Sequence, residues 1–292
     1  MEMAATVRLA QDAEARACRL LMPEAFSANY APELWVALDP VGSEVVGAGA
    51  VGWQPIPPGP GFPVQLHVIP SHRRRGIGSL LLQTIVDACT GHTKRLHSWS
   101  NEAEGSPAAA FCTAAGFVPR SRMLEFDADL ARFYAMIGPI HGRLAKSGKI
   151  ASDLRVVPLR EASLQHVTQL VSSQFADVPL STVMALSQGL INYDQDKSAV
   201  LLRGNEVKGA LLYMWNDGNP IIDVNVVAPE LRRGPANVLL LEAATRNALE
   251  GGGISFRFRC EEHVRDTVNL ARRSGAKLAR VQLAFTRTLA SV

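Results

Sequence analysis

The residues with the most pointed chemistry lie in one run, Val68-Ile69-Pro70-Ser71-His72-Arg73-Arg74-Arg75-Gly76-Ile77-Gly78-Ser79-Leu80-Leu81-Leu82. An apolar segment ends at Pro70, three arginines follow, then Gly-Ile-Gly, then helical spacing. Ile77, Leu81 and Ile85 recur at i, i+4 and i+8, with Leu80 and Ala88 beside them. The run therefore reads strand, glycine turn, helix. Such a turn suits an anion, because the first N–H groups of a helix have no partner within it and point out of its N-terminus. Gly76 and Gly78 let a phosphate approach the backbone closely. The helix dipole contributes roughly 0.3–1 kcal/mol for a negative charge there. Arg73, Arg74 and Arg75 place positive charge at the rim, and a pyrophosphate matches this set of donors.

Two familiar phosphate loops do not fit. A Walker loop needs Gly-Lys-Ser/Thr after its spacer, and the run has no lysine. The dinucleotide fingerprint needs a third glycine where Leu81 stands. What the run resembles is the acetyl-CoA signature of the GNAT N-acetyltransferase superfamily, Val-x-Pro, two residues, then Arg/Gln-x-x-Gly-x-Gly/Ala. It is met by Val68, Pro70, Arg73, Gly76 and Gly78. Phe111-Cys112-Thr113-Ala114-Ala115-Gly116-Phe117 also resembles the later helix of that family, which ends in Gly-Phe.

The resemblance implies a set of site residues. Backbone N–H groups of Arg73, Arg74, Arg75, Gly76, Ile77, Gly78 and Ser79 would hold the pyrophosphate of coenzyme A. The strand at Leu66, His67 and Val68 would meet the thioester carbonyl. A base, often working through water, takes the amine proton, and a tyrosine on the later helix commonly protonates the thiolate. That tyrosine is Cys112 here. A thiol with a pKa of about 8.5 can serve as an acid toward a thiolate. Packing within the helix accounts for Cys112 equally well, in which case Ser106 or water supplies the proton. His67 has a suitable intrinsic pKa for the base, but strand alternation leaves open whether it faces the cleft. Gln65 and His97 are further candidates.

The elements that must position these residues follow from pattern. Segments 5–9, 33–38, 44–54 and 62–69 read as strands, and 11–22 as a helix with Ala and Leu on one face. Residues 55–61 (Pro-Ile-Pro-Pro-Gly-Pro-Gly) form a stiff loop suited to meeting a variable acceptor. After the signature helix come a strand at 95–99 and a short helix over 108–115. Ser106 reads as its N-cap, Pro107 as its first residue and Gly116 as its stop. A strand follows from Phe117. Residues 129–149 predict a connecting helix interrupted at Gly138-Pro139.

The plan then restarts. Strands are expected at 154–157, 199–203, 207–215, 221–227, 254–259 and 279–287, with helices at 163–175, 180–191, 238–249 and 265–273. Pro70 and Pro229 are 159 positions apart, and the triple leucines at 80–82 and 239–241 share that offset. The fold class expected is α/β (α+β): two tandem GNAT-type domains, each a mixed, mostly antiparallel splayed sheet flanked by helices. The boundaries expected are 1–130 for the first domain, 131–152 for a linker and 153–292 for the second. Aligned without a gap, Gly76 falls on Pro235 and Gly78 on Asn237. With one deletion they fall on Gly234 and Ala236, and Leu231 replaces Arg73. Either way the second loop contains Pro235, which has no N–H to donate, so the second copy should bind coenzyme A poorly or not at all.

Composition bounds the rest. The chain has 292 residues, is 47% apolar and 20% charged, and carries a net charge of +3, too slight to argue for nucleic acid. Cys18, Cys89, Cys112 and Cys260 show neither a metal-ligand spacing nor a disulfide framework. They fit reduced thiols in a cytoplasmic protein. No signal peptide or membrane span is expected. The reading is an acetyl-CoA-dependent N-acetyltransferase acting on an amine, on a small molecule, with the first domain active and no metal. Homodimerisation stays open. Alternatives are a longer acyl-CoA as donor, a protein that senses coenzyme A without turnover, and a structural protein that binds none.

Overall fold

A computed structural model describes residues 5–26, 31–41, 44–53, 61–174, 193–216, 219–232 and 234–289. Of the sequence expectations, the helix at 180–191 and residues 54–60 of the proline-rich loop lie outside these. The chain divides into two compact units, Met1–Ser121 with Leu283–Val292, and Arg122–Gln282.

The first unit runs β1 (Thr6–Leu9), α1 (Ala15–Leu21), β2 (Glu33–Leu38), β3 (Val45–Val51), β4 (Phe62–Val68), α2 (Ile77–Cys89), β5 (Arg95–Ser98), β6 (Glu102–Ala103), α3 (Pro107–Ala114) and the start of β7 (Val118–Asp129). Its sheet follows the order β1-β2-β3-β4-β5 and closes with the end of β13 (Lys277–Thr288), whose Thr286 lies opposite His97. Pairing is antiparallel from β1 through β4 and parallel between β4 and β5. The helix α2 forms where its spacing foretold, and Ile77, Leu81 and Ile85 are buried. They reach the sheet because β3 offers glycines. A Cβ on Gly49 would lie 2.7 Å from the Ile85 Cδ1 atom, so only glycine admits the helix so closely. On the other sheet face α1 supplies Cys18 and Met22 to a cluster with Val36, Ala48 and Ala50.

The second unit continues β7 and adds α4 (Leu130–Lys146), β8 (Leu154–Pro158), α5 (Leu164–Gln174), β9 (Ala199–Arg203), β10 (Glu206–Asn216), β11 (Asn219–Val227), α6 (Ala236–Glu250), β12 (Ser255–Glu261), α7 (Arg265–Ser274) and the start of β13. Its sheet runs β7-β12-β11-β10-β9-β8. Phe126, Phe133, Phe256 and Phe258 form its aromatic centre, with the Phe133 and Phe256 rings edge to face at 5.0 Å.

Two expectations are corrected. The expected boundaries, 1–130, 131–152 and 153–292, give way to units in which the closing strand of each half belongs to the other. Arg122–Gln282 includes most of β7, which pairs with β12 from Met123↔Glu261 to Asp129↔Ser255. The last ten residues join the first unit through β5. The hydrogen-bond ladders of these long strands, and not order along the chain, set the division. The connecting segment is no linker, because α4 packs Leu130, Phe133 and Ile137 into the second core. Nor does Gly138-Pro139 interrupt it. α4 continues through Pro139, whose exposed position tolerates the missing N–H while the buried face on both sides holds the helix.

Candidate functional site

The site begins where β4 and β5 part. They pair at Phe62↔Leu96, Pro63↔His97 and Val64↔Ser98 and no further, and the Val64 carbonyl accepts the last bridging bond from Trp99 N–H at 3.0 Å. The Pro63 carbonyl turns the other way, toward Gly52 N–H at 2.9 Å. Alternation along the strand therefore aims the N–H groups of Leu66 and Val68 at the side β5 has left. The Val68 carbonyl on that side is taken by Arg73, whose Nε donates at 2.8 Å. This bond ties the first arginine to the strand end and shapes the turn.

The turn is built to present donors. Arg74 has φ 64°, an unusual value for a residue with a side chain, and Gly76 has φ 80° as the N-cap of α2. A Cβ on Gly76 would meet nothing within 4 Å, so its backbone angle, and not space, calls for glycine. Among the described residues no main-chain N–H at positions 74–79 has a partner; the first bond of the helix runs from Leu80 N–H to the Gly76 carbonyl at 3.0 Å. Unpaired donors around alternating left-handed residues, with a helix N-terminus behind them, make an anion cradle. The residues present thus fit the pyrophosphate of coenzyme A.

Beyond the turn the fork opens into a cavity of about 120 Å³ lined by residues that include Gln65, Leu66, Trp99, Glu102, Phe111 and Cys112. Phe111 comes within ordinary contact distance of the Gly78 backbone position, which joins α3 to the turn. Burial and the charge of Glu102 push the Cys112 thiol up to about 11, so it stays protonated at neutral pH. Ser100 Oγ donates to Glu102 Oε1 at 3.2 Å.

The structure brings together Leu66, Cys112 and the cavity, with the turn at residues 73–79 adjoining the same strand end. It does not bring Ser106 to the cavity lining; its Oγ accepts from Ala109 N–H at 3.1 Å as the N-cap of α3. His67 also stands outside the lining. It lies opposite Ala48, on the α1 face of the sheet, with its pKa lowered by burial and by Arg73. His97 is buried, both ring nitrogens lack partners among the described residues, and burial aided by Arg120 and Arg95 holds its pKa down to about 4. Glu102 and Trp99 were missed in the sequence. The one signal for them is position: they follow a parallel strand at the point where it leaves its neighbour, which is where α/β sheets bind ligands.

The second unit repeats the arrangement with changes. Its parallel strands pair only at Ile221↔Arg257 and Ile222↔Phe258. Arg232 Nε donates to the Val227 carbonyl at 3.3 Å, as Arg73 does to Val68, and α6 starts at Ala236 as α2 starts at Ile77. The ungapped alignment is thereby selected, and Pro235 stands for Gly76. Its φ of −74° replaces the left-handed turn, and Gly234 N–H bonds to the Leu231 carbonyl at 3.0 Å instead of facing out. At the fork itself Asp223 accepts from Tyr193 Oη at 2.8 Å and from Arg259. The Asp223 side chain is only 11% exposed. Asp223→Ala should therefore cost about 1–3 kcal/mol of stability through the orphaned Tyr193 and Arg259 groups, read as a lower Tm in calorimetry, without changing affinity for coenzyme A.

Comparison with known proteins agrees with this geometry. Residues 31–119 match the family described as the acetyltransferase (GNAT) domain. A GCN5-related N-acetyltransferase from Sphaerobacter thermophilus superposes with TM-score 0.60 at 14% identity, covering 99% of this chain and 97% of that one. A tandem GNAT protein from the clavulanic acid biosynthesis pathway gives TM-score 0.62 at 19% identity, over 94% and 89%. Eis1 from Mycobacterium abscessus gives 0.56 at 12%, over 98% and 74%. No curated protein matches the chain in sequence. Residues 31–119 thus resemble a GNAT acetyltransferase domain in sequence, and the chain shares its fold with these solved structures, one tandem GNAT protein among them. No helix among the described residues is long and apolar enough to cross a membrane.

Proposed function

We propose that the first unit binds acetyl-CoA in the fork between β4 and β5 and transfers its acetyl group to an amine of a small molecule. The observation that carries this reading is the run of unpartnered N–H groups at residues 74–79 beside a fork whose open strand aims Leu66 and Val68 N–H into it. The turn would grip the pyrophosphate, and the strand would orient and polarise the thioester carbonyl. The cavity lined by Gln65, Glu102 and Cys112 would receive the acceptor. The second unit shapes the protein without binding a second cofactor, since Pro235 removes both a donor and the left-handed turn.

Two measurements test this. Titration calorimetry with acetyl-CoA should give one site per chain; two equal sites would contradict the asymmetry, and none would defeat the reading. Release of free thiol from acetyl-CoA across a panel of primary amines should then reveal turnover. Cys112 in the place of the family's tyrosine favours a second reading, a sensor of coenzyme A that does not turn over. Tight binding with no thiol release on any amine would select it.

A further inference from the structure

We propose that Glu102 and Gln65 form the acceptor pole of the first fork, binding a cationic primary amine, and that Glu102 both removes the amine proton and returns it to the leaving sulfur. This rests on the acetyl-transfer reading and extends it to the acceptor and to the proton.

Glu102 lines the cavity beside the Cys112 position, and its charge acts on that thiol. Gln65 lines the same cavity, and its side-chain oxygen is buried with no partner among the described residues. A buried acceptor atom left unpaired costs roughly 1–3 kcal/mol, and a turn of the Gln65 side chain toward an incoming N–H group would relieve it. Trp99 offers an aromatic wall to the same space. A carboxylate, a lone carbonyl oxygen and an indole around one small cavity define a pocket for an ammonium group.

An ammonium cannot attack until it gives one proton to bulk water; the neutral amine that remains must lose a second as it attacks, and Glu102 is the acidic residue placed to accept that one. As the amine nitrogen bonds to the acetyl carbon, Glu102 holds the proton released from that nitrogen. As the carbon–sulfur bond breaks and its electron pair stays on sulfur, the Glu102 carboxylic acid passes the proton to the sulfur. The carboxylate is regenerated, and the one proton released overall is the one given to water when the ammonium is neutralised. Cys112, protonated at neutral pH, donates a hydrogen bond toward the sulfur without losing its proton. One side chain thus covers both the base that the resemblance implies and the tyrosine that Cys112 replaces.

The test compares wild type with Glu102→Gln, Glu102→Asp and Gln65→Leu. For Glu102→Gln we expect kcat on a primary amine to fall about a hundredfold, with partial recovery in Glu102→Asp and an unchanged Kd for acetyl-CoA. Gln65→Leu should raise the acceptor KM and leave kcat nearly intact. A readout independent of turnover is the pH dependence of Cys112 alkylation, followed by peptide mass spectrometry. It should shift to lower pH in Glu102→Gln, because the neighbouring negative charge is gone. Wild-type kcat in Glu102→Gln, or an unmoved alkylation profile, overturns the role of Glu102 and leaves acetyl transfer standing. If wild type binds acetyl-CoA but turns over no amine, both the transferase reading and this assignment fall.

Discussion

Gly76→Pro is expected to abolish useful affinity for coenzyme A while leaving the protein folded. Gly76 holds φ 80° and contributes an unpartnered N–H to the cradle. Proline removes that donor and forces φ to about −65°, which rotates the neighbouring donors out of line. Loss of one charge-assisted bond is worth roughly 1.5–3 kcal/mol, and refusal of the left-handed turn another ~1–2 kcal/mol. Together these amount to a weakening on the order of a hundredfold to several thousandfold. The position is exposed and a Cβ meets nothing there, so the protein should stay folded, with the Tm without ligand lowered only by the strain of the refused left-handed turn. The mirror substitution, Pro235→Gly, should not create a second binding site, because Asp223, Tyr193 and Arg259 still occupy the other fork. Calorimetric titration reads both variants. Near wild-type affinity in Gly76→Pro would show that the ligand is held elsewhere.

Acid should destabilise the protein through His97. The residue is 5% exposed, its ring has no hydrogen-bond partner among the described residues, and it lies against Gly61, where a Cβ would sit 2.2 Å from Nε2. Burial, with Arg120 and Arg95 nearby, holds its pKa at about 4 against an ordinary 6.5. The folded state therefore binds this proton less readily than the unfolded one. The neutral ring's contribution is full above pH 6.5 and is lost as the pH falls toward 4. Across that window the loss approaches about 3 kcal/mol. His97→Leu keeps an apolar body and removes the titration, so its Tm should fall less steeply between those pH values. An identical acid slope in the variant would mean that other groups govern the transition. His97 sits opposite Pro63, one pair before the last pair of the fork, Val64↔Ser98.

Much of the site was legible because its information is local. The helix α2, its buried stripe and the glycine cap follow from a single contiguous run. The cap of α3 at Ser106 and its stop at Gly116 were equally plain, with Phe117 N–H bonding to the Cys112 carbonyl at 3.0 Å. The catalytic side of the cleft was not. His67 has the right chemistry for a base but the strand sets it outside the cavity, whereas Glu102, in a short unremarkable segment, reaches it. Residue type ranks candidates by pKa; only the course of the chain after Ser98 says which carboxylate arrives.

The repeat shows the same limit. The 159-residue offset pointed to two copies, and Pro235 marked the one expected to bind coenzyme A poorly, because proline's missing N–H and fixed φ are properties of the residue itself. Sequence alone could not choose between two alignments of that loop; the bond from Arg232 to the Val227 carbonyl chose. Nor could it foresee that β13 ends beside β5, or that β7 pairs with β12. Turns, caps and helix faces are decided by neighbours a few residues apart, so the chain determines them as it is written. Strand partners and the depth of a fork depend on which distant ladders win the most hydrogen bonds and buried area, and that competition is settled only when the whole sheet assembles.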